Sequence, residues 1–125
     1  MLHHIAAVVK DLGGTVGILS QIFSVKEISR KNYGMMEVLM LKVENVMLEL
    51  ISPMSGSSTY WEFLEKGGGI HHIAFKCDDK DKLLKKLDEM HLDYVVTEVD
   101  NFVLVNVKPE KISGINIQFF IEKHG

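Results

Sequence analysis

Two histidine pairs stand in almost the same ten-residue phrase, LHHIAAVVKD at 2–11 and IHHIAFKCDD at 70–79, identical at five positions. Histidine ligates metals and moves protons near neutral pH, so a repeated pair on an apolar run is a candidate for either. Neighbours on a strand alternate faces, so His4 shares a face with Ala6 and Val8, and His72 with Ala74 and Lys76. A second repeated phrase, VMLELIS (46–52) over INIQFFI (115–121), aligns Glu49 with Gln118. Both are polar residues in otherwise apolar strands, and a buried carboxylate without a partner is costly. One divalent metal held by His4, Glu49, His72 and Gln118 would account for all four. Two imidazoles and two oxygens suit Co, Ni, Mn, Fe or Zn, and ligand softness does not choose among them. Taken singly, a strand histidine is more often a core or edge residue, and a strand glutamate usually faces water. The recurrence at matching offsets, 45 residues from His4 to Glu49 and 46 from His72 to Gln118, favours the ligand reading.

The elements that must position these residues follow from the same repeat. A shift of 68 aligns His3, His4, Ile5, Ala6 and Asp11 with His71, His72, Ile73, Ala74 and Asp79, and carries Val16 and Leu19 onto Leu84 and Leu87. Such self-similarity implies two like modules. In the first, residues 2–10 read as a strand. Apolar residues at 12, 16, 19 and 23 mark a helix over 12–24, with Asp11 as N-cap. Strands follow near 25–30, 35–43 and 46–52, the last two joined by a tight EN turn. In the second, residues 70–77 form a strand, 80–91 a helix, and 94–99, 102–107 and 115–122 three more strands. Each module is β-α-β-β-β, so the fold class is α+β. The domain organisation is a single domain over 1–125, with module 1 at 1–54, a connector at 55–69 and module 2 at 70–125. The connector begins in the polar loop SPMSGSS and continues as TYWEFLEKGGG. Thr59 and Glu62 have capping-box spacing, Gly67 stands where the helix would stop, and Trp61 and Leu64 are expected to pack on the sheets.

Composition removes several classes of function. The chain has 125 residues, 46% hydrophobic and 25% charged, with net charge −3 and one arginine, Arg30. No basic patch stands out, which argues against nucleic acid. The longest apolar stretch, 35–54, is interrupted by Glu37, Lys42, Glu44 and Glu49, so no membrane span is expected. No secretory signal is read at the N-terminus, and a lone Cys77, expected to be a small buried hydrophobe, fits a reducing cytoplasm. The glycine runs match neither G-x-x-x-x-G-K-[ST] nor G-x-G-x-x-G, so phosphate loops are not expected.

The phrases HIAAVVKDL, LELISP, FLEKGGGIHHIAFKCDD and VKPEKISGINIQFF resemble the vicinal oxygen chelate superfamily, the glyoxalase, bleomycin-resistance and dioxygenase group. Within it the chain most resembles the methylmalonyl-CoA epimerases. The resemblance implies paired modules whose sheets form a cup around a divalent metal, with ligands at His4, Glu49, His72 and Gln118. It also implies proton transfer next to a carbonyl, with Glu49 as the base. A small-molecule substrate is expected, which the resemblance to the epimerases implies to be an acyl-CoA thioester. Its candidate contacts are Asn116 and Phe120 on the face of Gln118, and Arg30 and Lys111, with Lys31 and Lys108, for phosphates. Two departures stand out. The epimerase pattern carries glutamine in the first module and glutamate in the second, the reverse of Glu49 and Gln118. It also carries a carboxylate shortly before the glycine that matches Gly34, where this chain reads RKNYG. Epimerisation is most simply done by two acid-base groups, and Glu37 is the candidate for the second. The alternatives are a glyoxalase I-like lyase, a ring-cleaving dioxygenase and a non-catalytic drug-binding protein. A homodimer is expected.

Overall fold

Period-two alternation and short polar breaks produce eight strands, and the computed structural model of the chain describes them through residues 1–54, 56 and 58–123. The order is β1 (Leu2–Val8), α1 (Leu12–Ile22), β2 (Val25–Asn32), β3 (Met36–Val43), β4 (Val46–Pro53), α2 (Thr59–Glu65), β5 (Gly69–Lys76), α3 (Lys80–Glu89), β6 (Tyr94–Val99), β7 (Phe102–Val107) and β8 (Ile117–Glu122), with a 3₁₀ turn at Pro109–Ile112. The fold class is α+β, as expected. Two compact units divide the chain: His4–His71, and Met1–His3 with the chain from His72 onward.

In the first unit the strands lie in the order β2-β3-β4-β1. β1 runs parallel to β4, while β2, β3 and β4 form antiparallel hairpins. One sheet face packs under α1: Ala7, Leu39, Leu41 and Leu50 meet Leu12, Val16 and Leu19. The other face carries Ala6, Val8 and Ile51, packed against Met36, Val38 and the α2 residues Tyr60, Phe63 and Leu64. Leu39, Leu41 and Leu50 are each 1% exposed, and burial of such a side chain stabilises by about 1.5–3 kcal/mol.

In the second unit the order is β5-β8-β7-β6. β5 runs parallel to β8, and β8, β7 and β6 are antiparallel. α3 lies on Val103, Val105, Val107 and Ile121 through Leu87, Leu83 and Leu84. The repeated aspartates do the same work in both units. Asp11 accepts a hydrogen bond from Gly14 N at 3.1 Å, and Asp79 accepts one from Lys82 N at 3.0 Å. Each cap satisfies an otherwise unpaired amide of a first helical turn.

The departures from the sequence reading have local causes. Ser58, not Thr59, caps α2, its side chain accepting from Trp61 N. The α2 side chains packed on the Ala6, Val8 and Ile51 face are Tyr60, Phe63 and Leu64 rather than Trp61. Gly68 has φ +67°, and a Cβ there would stand 2.8 Å from the Val8 carbonyl oxygen. The hairpin expected at EN, by contrast, is present between β3 and β4 and turns at Glu44, φ 54°. Ser55 and Ser57 of the SPMSGSS loop lie outside the described residues. Among the described residues no helix is long and apolar enough to cross a membrane.

Candidate functional site

Parallel pairing of β1 with β4 sets Ala6 opposite Glu49, and antiparallel pairing of β3 with β4 sets Met40 on the other side of it. Alternation places Glu49 on the face of Ile51, away from the Leu48 and Leu50 side chains that meet α1. His4, two residues before Ala6, lies diagonal to Glu49. Its Nε2 stands 3.9 Å from Glu49 Oε1, with side-chain exposures of 5% and 21%. That spacing is too long for a hydrogen bond. Burial is the cause that pushes the Glu49 carboxyl up to about 6, because desolvation penalises the charged form. Tyr60 lies on this face too. Its phenol is raised by burial and then by the negative charge of Glu49. The ring edge of His71 meets Tyr60 at 5.0 Å and Phe63 at 4.9 Å between centroids.

The second unit repeats the register. Ala74 pairs with Gln118, and Gln118 pairs on its other side with Asn106. His72, two residues before Ala74, is buried, as is Gln118. The Gln118 Nε2 donates to Asn106 Oδ1 at 3.0 Å. Phe120, next on this face, stacks with His3 at 4.5 Å and meets Phe102 at 4.2 Å. Burial, then the neighbouring Lys76, lowers the His3 imidazole below its ordinary range. Asn116 sits just before β8, where its carbonyl accepts from Ile73 N at 3.0 Å.

Other sequence candidates are placed elsewhere. Glu37 shares the face of Leu39, the α1 side, opposite that of Glu49. It accepts from Arg30 Nη1 at 3.1 Å, and Arg30 Nε donates to Glu27 at 3.0 Å. The two glutamates hold the Arg30 guanidinium further up its already high range. Lys111 Nζ donates to the His91 carbonyl at 2.6 Å. Sequence reasoning missed Tyr60 and Asn106. Asn106 carried a signal, a polar residue within the apolar strand FVLVNV. Tyr60 carried none, because the buried side of a seven-residue helix is set by docking.

The donor types suit a divalent cation. Each unit presents one buried imidazole and one side-chain oxygen at equivalent strand positions, and Glu49 lies 3.9 Å from its imidazole. Nitrogen and oxygen ligands of zinc sit about 2.0–2.2 Å from the ion, so a small inward adjustment of Glu49 would let both groups ligate one ion.

A family model described as Glyoxalase/Bleomycin resistance protein/Dioxygenase superfamily matches residues 3–101. An uncharacterised protein, YqjC of Bacillus subtilis (strain 168), is 35% identical over 80 residues, covering 63% of this chain and 54% of that protein. The matched segment therefore spans about half the length of that relative. A hypothetical protein, BH1468 of Bacillus halodurans C-125, superposes with a TM-score of 0.87 at 19% identity, covering 100% of this chain and 96% of its own. Methylmalonyl-CoA epimerase from Mycobacterium tuberculosis superposes at 0.84 and 19% identity, covering 98% and 88%. A single-residue variant of the Streptomyces coelicolor methylmalonyl-CoA epimerase, solved in complex with 2-nitronate-propionyl-CoA, superposes at 0.83 and 19% identity, covering 98% and 97%. At such identity these solved structures speak for the fold alone.

Proposed function

Since the chain belongs to the glyoxalase/bleomycin resistance protein/dioxygenase superfamily, we propose that it is a metal-dependent enzyme moving a proton at a carbon next to a carbonyl. The finer reading is an epimerase-like reaction on an acyl-CoA thioester, supported by the epimerases of like fold. His4, Glu49, His72 and Gln118 would hold the divalent ion, which supplies Lewis-acid polarisation of the carbonyl when bound. Glu49 is the base. The observation that carries this role is its buried carboxyl beside His4, pushed up to about 6. In the metal-free protein it is ionised at neutral pH yet takes up a proton more readily than an ordinary glutamate; to act as the base it would be held only loosely by the ion. The apolar neighbours Ala6 and Met40 leave the carboxylate poorly solvated and open to a substrate proton. Glu37, held by Arg30 on the opposite face, takes no part in this step.

The test is solvent deuterium incorporation into candidate acyl-CoA thioesters by metal-reconstituted protein. Wild type should exchange the α-proton, and Glu49→Gln should lower the rate by about two to four powers of ten at matched metal content. Equal rates for the two proteins would remove Glu49 from the mechanism. Failure of wild type on every thioester, with tight binding of a small ligand, would instead make the chain a binding protein.

A further inference from the structure

We propose that Tyr60 is a second catalytic group of this site, its hydroxyl donating a hydrogen bond to the substrate's carbonyl oxygen as Glu49 takes the proton from the neighbouring carbon. The inference rests on the base role given to Glu49 above and adds a hydrogen-bond donor to the carbonyl oxygen that the ion would polarise.

Tyr60 stands in the first turn of α2, and its ring packs with Phe63 and Leu64 on Ala6, Val8 and Ile51. Glu49 shares that sheet face, because it pairs with Ala6 and lies two residues from Ile51 on β4. Val8 and Ile51, on which the ring packs, pair with each other one step along the same face from the Ala6–Glu49 pair. Among the described residues no hydrogen bond engages that hydroxyl, whereas the Tyr94 hydroxyl donates to Asp88 at 2.8 Å. The ring is held from the side by His71, at 5.0 Å and 61°. A clamped phenol is a preorganised donor, the kind that stabilises developing negative charge without reorganising.

The step balances within the substrate and two side chains. The carbon–hydrogen bond breaks, and its proton passes to the Glu49 carboxylate. The electron pair forms a carbon–carbon double bond, and the carbonyl π pair moves to oxygen, to which the Tyr60 hydroxyl would donate. Reversal returns a proton from Glu49 to carbon. A proton exchanged with solvent in between appears as deuterium in the substrate, and nothing is oxidised or reduced.

The experiment is Tyr60→Phe, which keeps the packing ring and removes only the donor. In metal-reconstituted protein, α-proton exchange should fall about 10²-fold, the worth of one such donor, with KM and metal content unchanged. Affinity for 2-nitronate-propionyl-CoA, which carries charge where the enolate would, should fall by a like factor. Affinity for propionyl-CoA should not change. Exchange at the wild-type rate would overturn the proposal, as would equal loss of affinity for both ligands, the mark of a packing role. If wild type exchanges and Glu49→Gln does not, an intact Tyr60→Phe sinks the Tyr60 assignment alone. If wild type exchanges no thioester, both readings fall.

Discussion

At one backbone register, Ala6 opposite Glu49 in the first unit and Ala74 opposite Gln118 in the second, the two halves carry side chains of nearly equal outline and different charge. Their surroundings differ to match. Glu49 has Ala6 and Met40 as cross-strand neighbours, neither with a side chain able to donate a hydrogen bond, so burial makes its carboxyl more basic. Gln118 has Asn106 beside it, and the two amides meet at 3.0 Å. A repeated backbone therefore supplies equivalent positions, and the adjacent strand decides whether the polar side chain there finds a hydrogen-bond partner.

The comparison can be broken most directly at the imidazoles, where the halves are alike. If His4 and His72 each supply one ligand, His4→Ala and His72→Ala should each abolish stoichiometric metal. Elemental analysis of protein purified without affinity metals measures this. Retention by either variant would remove that half from the site.

The next effect belongs to Glu49 alone. Well below 4.5 its carboxyl is neutral in folded and unfolded chains alike. As pH rises from 4.5 to about 6, the unfolded chain releases the proton while the folded one keeps it. Stability of the metal-free protein should therefore fall across that window and stay lower above it. That rise from 4.5 to about 6 corresponds to about 2 kcal/mol. Urea unfolding on either side of the window should show this loss in wild type and lack it in Glu49→Gln, which makes the two halves chemically alike. An unchanged pH slope in the variant would place the titration elsewhere.

The smallest effect is expected at Glu37. Its exposed pair with Arg30 lies on the α1 face, and exposed pairs contribute little. Glu37→Gln should leave the exchange rate and the unfolding midpoint at wild-type values. A large loss of exchange would restore Glu37 as the second acid-base group.

Much of the fold was legible because its signals are local. Alternation in VMLELIS and FVLVNV, the helical spacing of Leu83, Leu84 and Leu87, and the Asp11 and Asp79 caps each act within a few residues. Strands β6 and β7 fall at the expected residues. Ends set by longer contacts were less legible: β1 stops at Val8 rather than residue 10, and β8 starts at Ile117 rather than residue 115. The 3₁₀ turn at Pro109–Ile112 was not anticipated, since its pattern lasts a single turn.

The repeat by itself determined that His4 and His72, and Glu49 and Gln118, occupy equivalent strand positions, because a period of two and a duplicated phrase fix parity without knowledge of the partners. Tertiary structure alone decided which face each parity meant. It set Glu37 with Arg30 on the α1 side once β3 took its register with β2 and β4, and it turned Tyr60, rather than Trp61, toward the sheet. It also decided the acidity of Glu49, which comes from the water excluded by every group packed around the carboxyl. That sum over neighbours distant in the chain is not written in any local run of residues.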